Sequence, residues 1–175
     1  SLRCEQIAQG FVGGLPEEIV EETARALRDS GAVSIPGRGR ELVFPQATKL
    51  RWTVERIADL RKLGRPAVVW SRFNGPLFWL HRQLGDFKPV VLHGGLTGAQ
   101  KDAVIQGFQG GDYGVLLGQI KMAQGFNLMR ATDVIRFGSD WAPAVNLQAE
   151  DRCHRIGVKG TVNVEIPIMR GTCEE

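Results

Sequence analysis

At 175 residues, 43% of them hydrophobic and 23% charged, the chain is long enough for one compact domain with a single core and too apolar for extended disorder. No apolar run approaches the ~18 residues that a membrane-spanning helix needs. A formal charge of +3 and a pI near 9.0 are compatible with a polyanionic partner but do not demonstrate one.

The three cysteines, Cys4, Cys153 and Cys173, are odd in number and far apart, with no C-x-x-C pair. Neither a disulfide framework nor a zinc site is indicated, and a reducing compartment fits best. No secretory leader pattern is visible. The opening Ser1-Leu2-Arg3 and the stop at Gly171-Thr172-Cys173-Glu174-Glu175 read as a piece of a longer protein.

In chain order, PEEIVEETARALRDSG predicts a helix: Pro16 suits the first helical position, and Glu17 and Glu18 favour the positive helix start. Ile19, Val20, Thr23 and Leu27 then form an apolar stripe before Gly31. VSIPGRGRELVF reads as two short strands around Pro36-Gly37-Arg38-Gly39, either a hairpin or an exposed basic loop. From Thr48 the pattern becomes regular. Leu50, Val54, Ile57 and Leu60 stand at helical spacing up to Gly64, and the apolar run PAVVWS follows as a buried strand.

Asn74-Gly75-Pro76 opens a second helix carrying Leu77, Leu80 and Leu84, and PVVLHG is the next strand. Thr97 and Gln100 form a T-x-x-Q capping box for a helix with Val104, Ile105 and Phe108 that Gly110-Gly111 ends. YGVLLGQ, DVIRFGS and VNVEIPIM supply three more strands, and a last helix runs from about Pro143 to Arg155. Apolar strands alternating with amphipathic helices predict an α/β fold with a largely parallel sheet covered on both faces, preceded by a helical and hairpin segment. The change of pattern divides the chain into 1–47 and 48–175. Functional groups in such folds gather at the carboxyl ends of the strands.

Four segments fall there. In HGGLTG, glycines 94 and 95 would let backbone N–H groups approach a phosphate near His93; the alternative is a plain turn before a capped helix. Ser71 and Arg72, after PAVVW, are donor types that hold a nucleic-acid backbone without reading sequence, or a solvated surface pair. Gln119 and Lys121 follow the VLLG strand, with Gly125 and Asn127 beyond them. Trp52, Trp70 and Trp79 lie within apolar periodicity and are assigned to the core.

WAPAVNLQAEDRCHRIG carries the most information. On a helix, Gln148, Arg152 and Arg155 stand at i, i+4 and i+7, an amide and two guanidiniums on one face. Arginine donates bidentately to phosphate and never loses its charge, which suits an anion whose charge rises during reaction. The alternative is a solvated face where Glu150 and Asp151 pair with the arginines, worth only about 0.5 kcal/mol per pair. There is no G-x-x-x-x-G-K-[ST] loop, no Ser/His/Asp order and no His/Cys/Glu cluster with metal spacing. These residues are the anion-contacting half of a site.

From about Lys49 onward the chain resembles the second RecA-like lobe of superfamily-two helicases, specifically the SWI/SNF-like branch of DNA-dependent ATPases. PAVVWSRF resembles motif IV, VVLHGGLTGAQKDAVIQGFQ the following strand-turn-helix segment, and VLLGQIKMAQGFNLMRATDVIRF motif V. WAPAVNLQAEDRCHRIG resembles the W-x-P and Q-A-x-D-R-x-x-R-x-G signature of motif VI. The opening CEQIAQGF is similar to the Q-I-x-x-G-F segment joining the two lobes, and GTCEE to the G-T-x-E-E that ends the core. The chain departs from the pattern at Val158 after Gly157, at Gly118-Gln119 in place of Ser-Thr, and at Ala123-Gln124-Gly125 in the glycine-rich part of motif V.

The resemblance implies a RecA-like lobe that completes an ATP site, with ATP and Mg2+ gripped by the N-terminal RecA-like lobe of the same protein. Arg155 would be the arginine finger, Arg152 its companion, and Gln148 a group orienting them or linking the lobes. Gly125 and Asn127 of motif V would couple nucleotide to double-stranded DNA, with Ser71, Arg72, His93, Gly94, Gly95, Gln119 and Lys121 facing its backbone. The implied activity is ATP hydrolysis coupled to movement on duplex DNA, with no turnover by this chain alone. The compact motif spacing points to a bacterial or phage origin and a cytoplasmic location, or a nuclear one in a eukaryote. The rival readings are an RNA helicase lobe, a non-catalytic nucleic-acid-binding module and an unrelated Rossmann-like enzyme. Against the last, no G-x-G-x-x-G follows any strand.

Overall fold

A computed structural model describes residues 2–13, 33–35, 41–43, 47–153 and 161–174. The helix expected over 16–31 and Arg155 lie outside them. The described elements are α1 (Leu2–Ala8), β1 (Phe11–Val12), β2 (Val33–Ile35), β3 (Glu41–Val43), α2 (Thr48–Lys62), β4 (Ala67–Ser71), α3 (Asn74–Gln83) and β5 (Pro89–Leu92). They continue with α4 (Gly98–Gly110), β6 (Val115–Gln119), β7 (Asp133–Arg136), α5 (Pro143–Asp151) and β8 (Asn163–Glu165). Among the described residues no helix is long and apolar enough to cross a membrane.

The central sheet has five parallel strands in the order β5-β6-β4-β7-β8. Its middle strands carry continuous apolar runs because both faces are covered, as parallel sheets require. Alternation along each strand sorts the side chains into two cores. Val69 of β4, Val115 and Leu117 of β6 and Ile135 of β7 pack with Leu50, Ile57, Leu77 and Leu80 under α2 and α3. Val68, Trp70, Leu116 and Val134 turn to the other face, with Phe108 of α4, Leu128, and Ala149 and Cys153 at α5. Each fully buried Leu, Ile or Val contributes roughly 1.5–3 kcal/mol by removal from water.

Trp70 and Trp79 are buried and Trp52 packs at the edge of the first core, as their periodicity predicts. Trp70 also explains a departure from the family motif. Gly118 is its register partner on β6, and a Cβ at that position would overlap the indole ring. The wide side chain on β4 requires a bare backbone opposite.

The capping box at α4 forms as expected: Gln100 N–H donates to Thr97 Oγ1 (3.3 Å) and Thr97 N–H to Gln100 Oε1 (2.9 Å). Gly111 closes the same helix at φ 97°. β2 and β3 form the antiparallel hairpin, and β1 adds to it in the order β1-β3-β2. VNVEIPIM makes a shorter strand than its pattern suggests, three residues at the sheet edge, because Pro167 has no N–H to continue a ladder.

The N-terminal segment docks on the sheet. Phe11 is fully buried in the α2/α3 core, with its ring 4.9 Å from that of Phe73. Gly10 turns the chain there at φ 78°, pressed so close to Ala47 that a Cβ would overlap that side chain. Gln9, also fully buried, fills the space beside Gly138 at the end of β7.

Candidate functional site

The loop after β4 leads towards β5 on one side of the sheet, and the chain after β7 leads towards β8 on the other. The strand order therefore reverses between β4 and β7, where such sheets open a crevice at their carboxyl ends. Gly138 N–H donates to Trp70 O (3.1 Å) at this point, and α1 lies over it.

Ser71 is fully buried here; its Oγ accepts from Phe73 N–H (3.1 Å) and lies 3.5 Å from Gln9 Oε1. Arg72 Nη1 donates to Glu5 Oε2 (2.8 Å), and its guanidinium lies 5.6 Å from the Phe73 ring and 5.7 Å from that of Trp141. Burial pushes the Glu5 carboxyl above its ordinary value, and the Arg72 charge opposes that shift. Ser71 thus faces Gln9, and Arg72 faces Glu5 of α1 and Trp141. Sequence reasoning missed Glu5 and Gln9. Their i, i+4 spacing, which lets Gln9 Nε2 donate to Glu5 Oε1 (3.4 Å), was the available signal.

The other five nucleic-acid candidates share the carboxyl ends of the neighbouring strands β5 and β6. Gly94 N–H donates to Gln119 Oε1 (3.3 Å), and Gly95 N–H to His93 Nδ1 (3.2 Å). The His93 ring meets Phe78 edge-on, with centroids 5.3 Å apart. Gly94, Gly95 and Lys121 are exposed; Lys121 sits on a 3-10 turn, Ile120–Met122, that begins where β6 ends.

The loop from β6 to β7 is fastened to the arginine-bearing segment. Gly125 is exposed, at φ 92°, in a backbone conformation that glycine adopts without strain. Asn127 O accepts from Gln109 Nε2 (3.1 Å), whose Oε1 accepts from Arg130 N–H (3.0 Å). Next to Asn127, the buried Leu128 donates its N–H to Arg152 O (2.8 Å). One backbone hydrogen bond therefore joins the Gly125–Asn127 loop to Arg152.

α5 begins at Pro143 and is held at its start by a reciprocal pair: Asp140 N–H donates to Asn146 Oδ1 (2.7 Å) and Asn146 Nδ2 to Asp140 O (2.9 Å). Ala149 and Cys153 face the core, while Leu147, Gln148 and Asp151 are exposed. Glu150, one of the carboxylates available to the arginines of this segment, accepts instead from Arg136 Nη1 (2.6 Å). Arg152 is half-buried, and its Nε finds no hydrogen-bond partner among the described residues. No carboxylate among the described residues pairs with it, and a half-buried, permanently charged group so left is suited to an anion brought from outside.

Residues 49–157 match the model of the helicase conserved C-terminal domain. The chain is 30% identical over 153 residues to the putative ATP-dependent helicase/translocase YwqA of Bacillus subtilis, covering 84% of this chain and 16% of that protein. It is 34% identical over 124 residues to the probable ATP-dependent DNA helicase CHR12 of Arabidopsis thaliana, covering 68% of this chain and 11% of that protein. It superposes on the crystal structure of the C-terminal part of the Fun30 ATPase domain with a TM-score of 0.69 at 25% identity, covering 74% of this chain and 44% of that one.

The all-parallel five-stranded sheet, with its candidate residues at the carboxyl edge, is a RecA-like lobe. The chain belongs to the helicase conserved C-terminal domain family, on its SWI/SNF-like branch. It spans at most 16% of the length of the two relatives described.

Proposed function

We propose that this chain is the second wall of an ATP site in a longer protein that couples ATP hydrolysis to movement along double-stranded DNA. In this reading Arg155 is the arginine finger and Arg152 its companion on the nucleotide phosphates, with Gln148 orienting them. Such a finger neutralises charge developing in the transition state and contributes about 10³ to 10⁵ in turnover. The supporting observation is Arg152, half-buried and paired with no carboxylate among the described residues, while the neighbouring Glu150 is engaged by Arg136. Its carbonyl holds Leu128, so displacement of the arginines would be felt at Gly125 and Asn127.

For the DNA backbone the reading rests on His93, the exposed Gly94 and Gly95, Gln119 and Lys121. Ser71 and Arg72 would act from behind, by holding α1 against the end of β4. The described residues include no group of three or more His, Cys, Asp or Glu placed to share a metal ion. In this reading Mg2+ is held by the other lobe. The longer protein would work wherever duplex DNA is found, in the cytoplasm of a bacterial or phage-infected cell or in a nucleus.

The test is Arg155→Ala, and separately Arg152→Ala, in the full-length protein, following ATP hydrolysis with duplex DNA or RNA as stimulant alongside ATP binding. Lost turnover with retained binding, stimulated by duplex DNA, is the expected result. Unchanged turnover removes the finger assignment, stimulation by RNA alone moves the protein to the rival substrate class, and steady hydrolysis by the isolated chain overturns the two-wall model.

A further inference from the structure

A second cavity opens at the other end of the sheet, away from the candidate nucleotide and nucleic-acid residues. It measures about 240 Å³ and lies between the end of α2, the starts of β4 and β6, and the 3-10 turn Gly85–Phe87. Four cations line it: Arg61, Arg65, Lys88 and Arg130. Asp86 is the one carboxylate among the lining residues.

The cations differ in how they are neutralised. Arg65 is held bidentately by Asp133 (2.8 and 2.9 Å). Arg130 donates only to neutral carbonyls, those of Phe108 (3.0 Å) and Tyr113 (2.7 Å). Arg61 lies 4.6 Å over the Phe87 ring. Among the described residues, no carboxylate pairs with Arg61, Lys88 or Arg130. With Asp133 set against Arg65 and Asp86 against one more cation, two positive charges remain uncompensated around a small cavity.

The cations share the lining with apolar groups: Pro66, Phe87 and the buried Leu60, Ala67 and Val115. A nucleic-acid backbone needs a track of donors at phosphate spacing and gains little from apolar lining groups. The volume is below the roughly 300–1,000 Å³ of sites for drug-sized ligands, and suits one side-chain anchor. We infer that this cavity receives an apolar side chain from a short acidic peptide segment of a partner protein, whose flanking carboxylates meet Arg61, Lys88 and Arg130. The site stands independently of the ATP reading, since it shares no residue with it.

The test uses the full-length protein and a fluorescein-labelled peptide of sequence EDLFDE, followed by anisotropy. Saturable binding is expected. It should weaken by about tenfold or more in the double variant Arg61→Glu/Lys88→Glu, which reverses two rim charges without removing a described ion pair. The peptide EDSSDE, which keeps the charge and lacks the anchor, should bind wild-type protein about tenfold more weakly. Absence of saturable binding, or equal binding of the two peptides, overturns the inference. So does a double variant that holds EDLFDE as well as wild type while losing affinity for duplex DNA, which would make the cavity a nucleic-acid contact.

Discussion

Arg136, the last residue of β7, donates from Nη1 to Glu150 Oε1 at 2.6 Å and so ties the sheet to α5 two residues before Arg152. The side chains are 18% and 21% exposed, enough shielding for the attraction to outweigh that of a surface pair. On the proposed function this pair sets the position of the arginine-bearing segment without touching nucleotide. Arg136→Met in the full-length protein should lower DNA-stimulated turnover by roughly 10- to 100-fold, as small misplacements of reacting groups do. ATP affinity should change far less. The exchange Arg136→Glu/Glu150→Arg should recover part of the loss; turnover unaffected by Arg136→Met would remove the positioning role.

Gly118 faces Trp70 across β4 and β6, and its missing Cβ is the space the indole occupies. Gly118→Ala should therefore overpack this core and destabilise the fold by about 1–3 kcal/mol. For a domain of this size that is a fall in melting temperature of roughly 3–10 °C. Trp70→Leu alone should also destabilise, but the double variant should be less unstable than the two losses added together. Strict additivity would mean that the two residues do not share the space.

Lys49 is a buried cation paired with Glu174, and its Nζ also lies 5.2 Å from the Phe137 ring. Burial draws its pKa below the usual lysine value, with Glu174 opposing the shift. Removing one partner leaves an uncompensated buried charge, so Lys49→Met should cost about 3–5 kcal/mol in denaturant unfolding. Lys49→Met/Glu174→Gln should recover much of that loss. A single variant as stable as wild type would show that the pair carries no such charge burden.

What could be read from the chain alone follows how local each interaction is. The Thr97 capping box and the buried strands need only neighbours within a few residues, and both appear as expected. The Arg136–Glu150 pair spans 14 residues and the Arg72–Glu5 pair 67, and no spacing rule predicts which of many charges meet. The inward turn of Ser71 had the same cause. Its place after an apolar strand was legible, but Gln9, which meets it, stands 62 residues away in the chain, just after a seven-residue helix too short to announce its docking. Gly125 and Asn127 follow β6, where the alternation of strands and helices puts them, Gln148 lies exposed on α5, and Arg155 lies outside the described residues.

Cys153 offers a probe of how tightly the arginine-bearing segment is held. It is fully buried beside Arg152, and burial pushes its thiol up to about 12, against 9.0 in the open chain. Cys4 and Cys173 are exposed. Thiolate is the reactive form, so iodoacetamide at pH 8 should label Cys4 and Cys173 quickly and reach Cys153 only after local or global unfolding. Between pH 8 and 9 Cys153 stays protonated in the folded chain. The linkage has a definite sign: between 9.0 and about 12 the unfolded chain releases this proton and the folded one keeps it. The stabilising contribution is thus complete below 9.0 and declines as pH climbs towards 12. If peptide mapping found Cys153 alkylated as fast as Cys173 at pH 8, the segment would be opening freely, and the fixed placement of Arg152 on which the proposed ATP site depends would be lost.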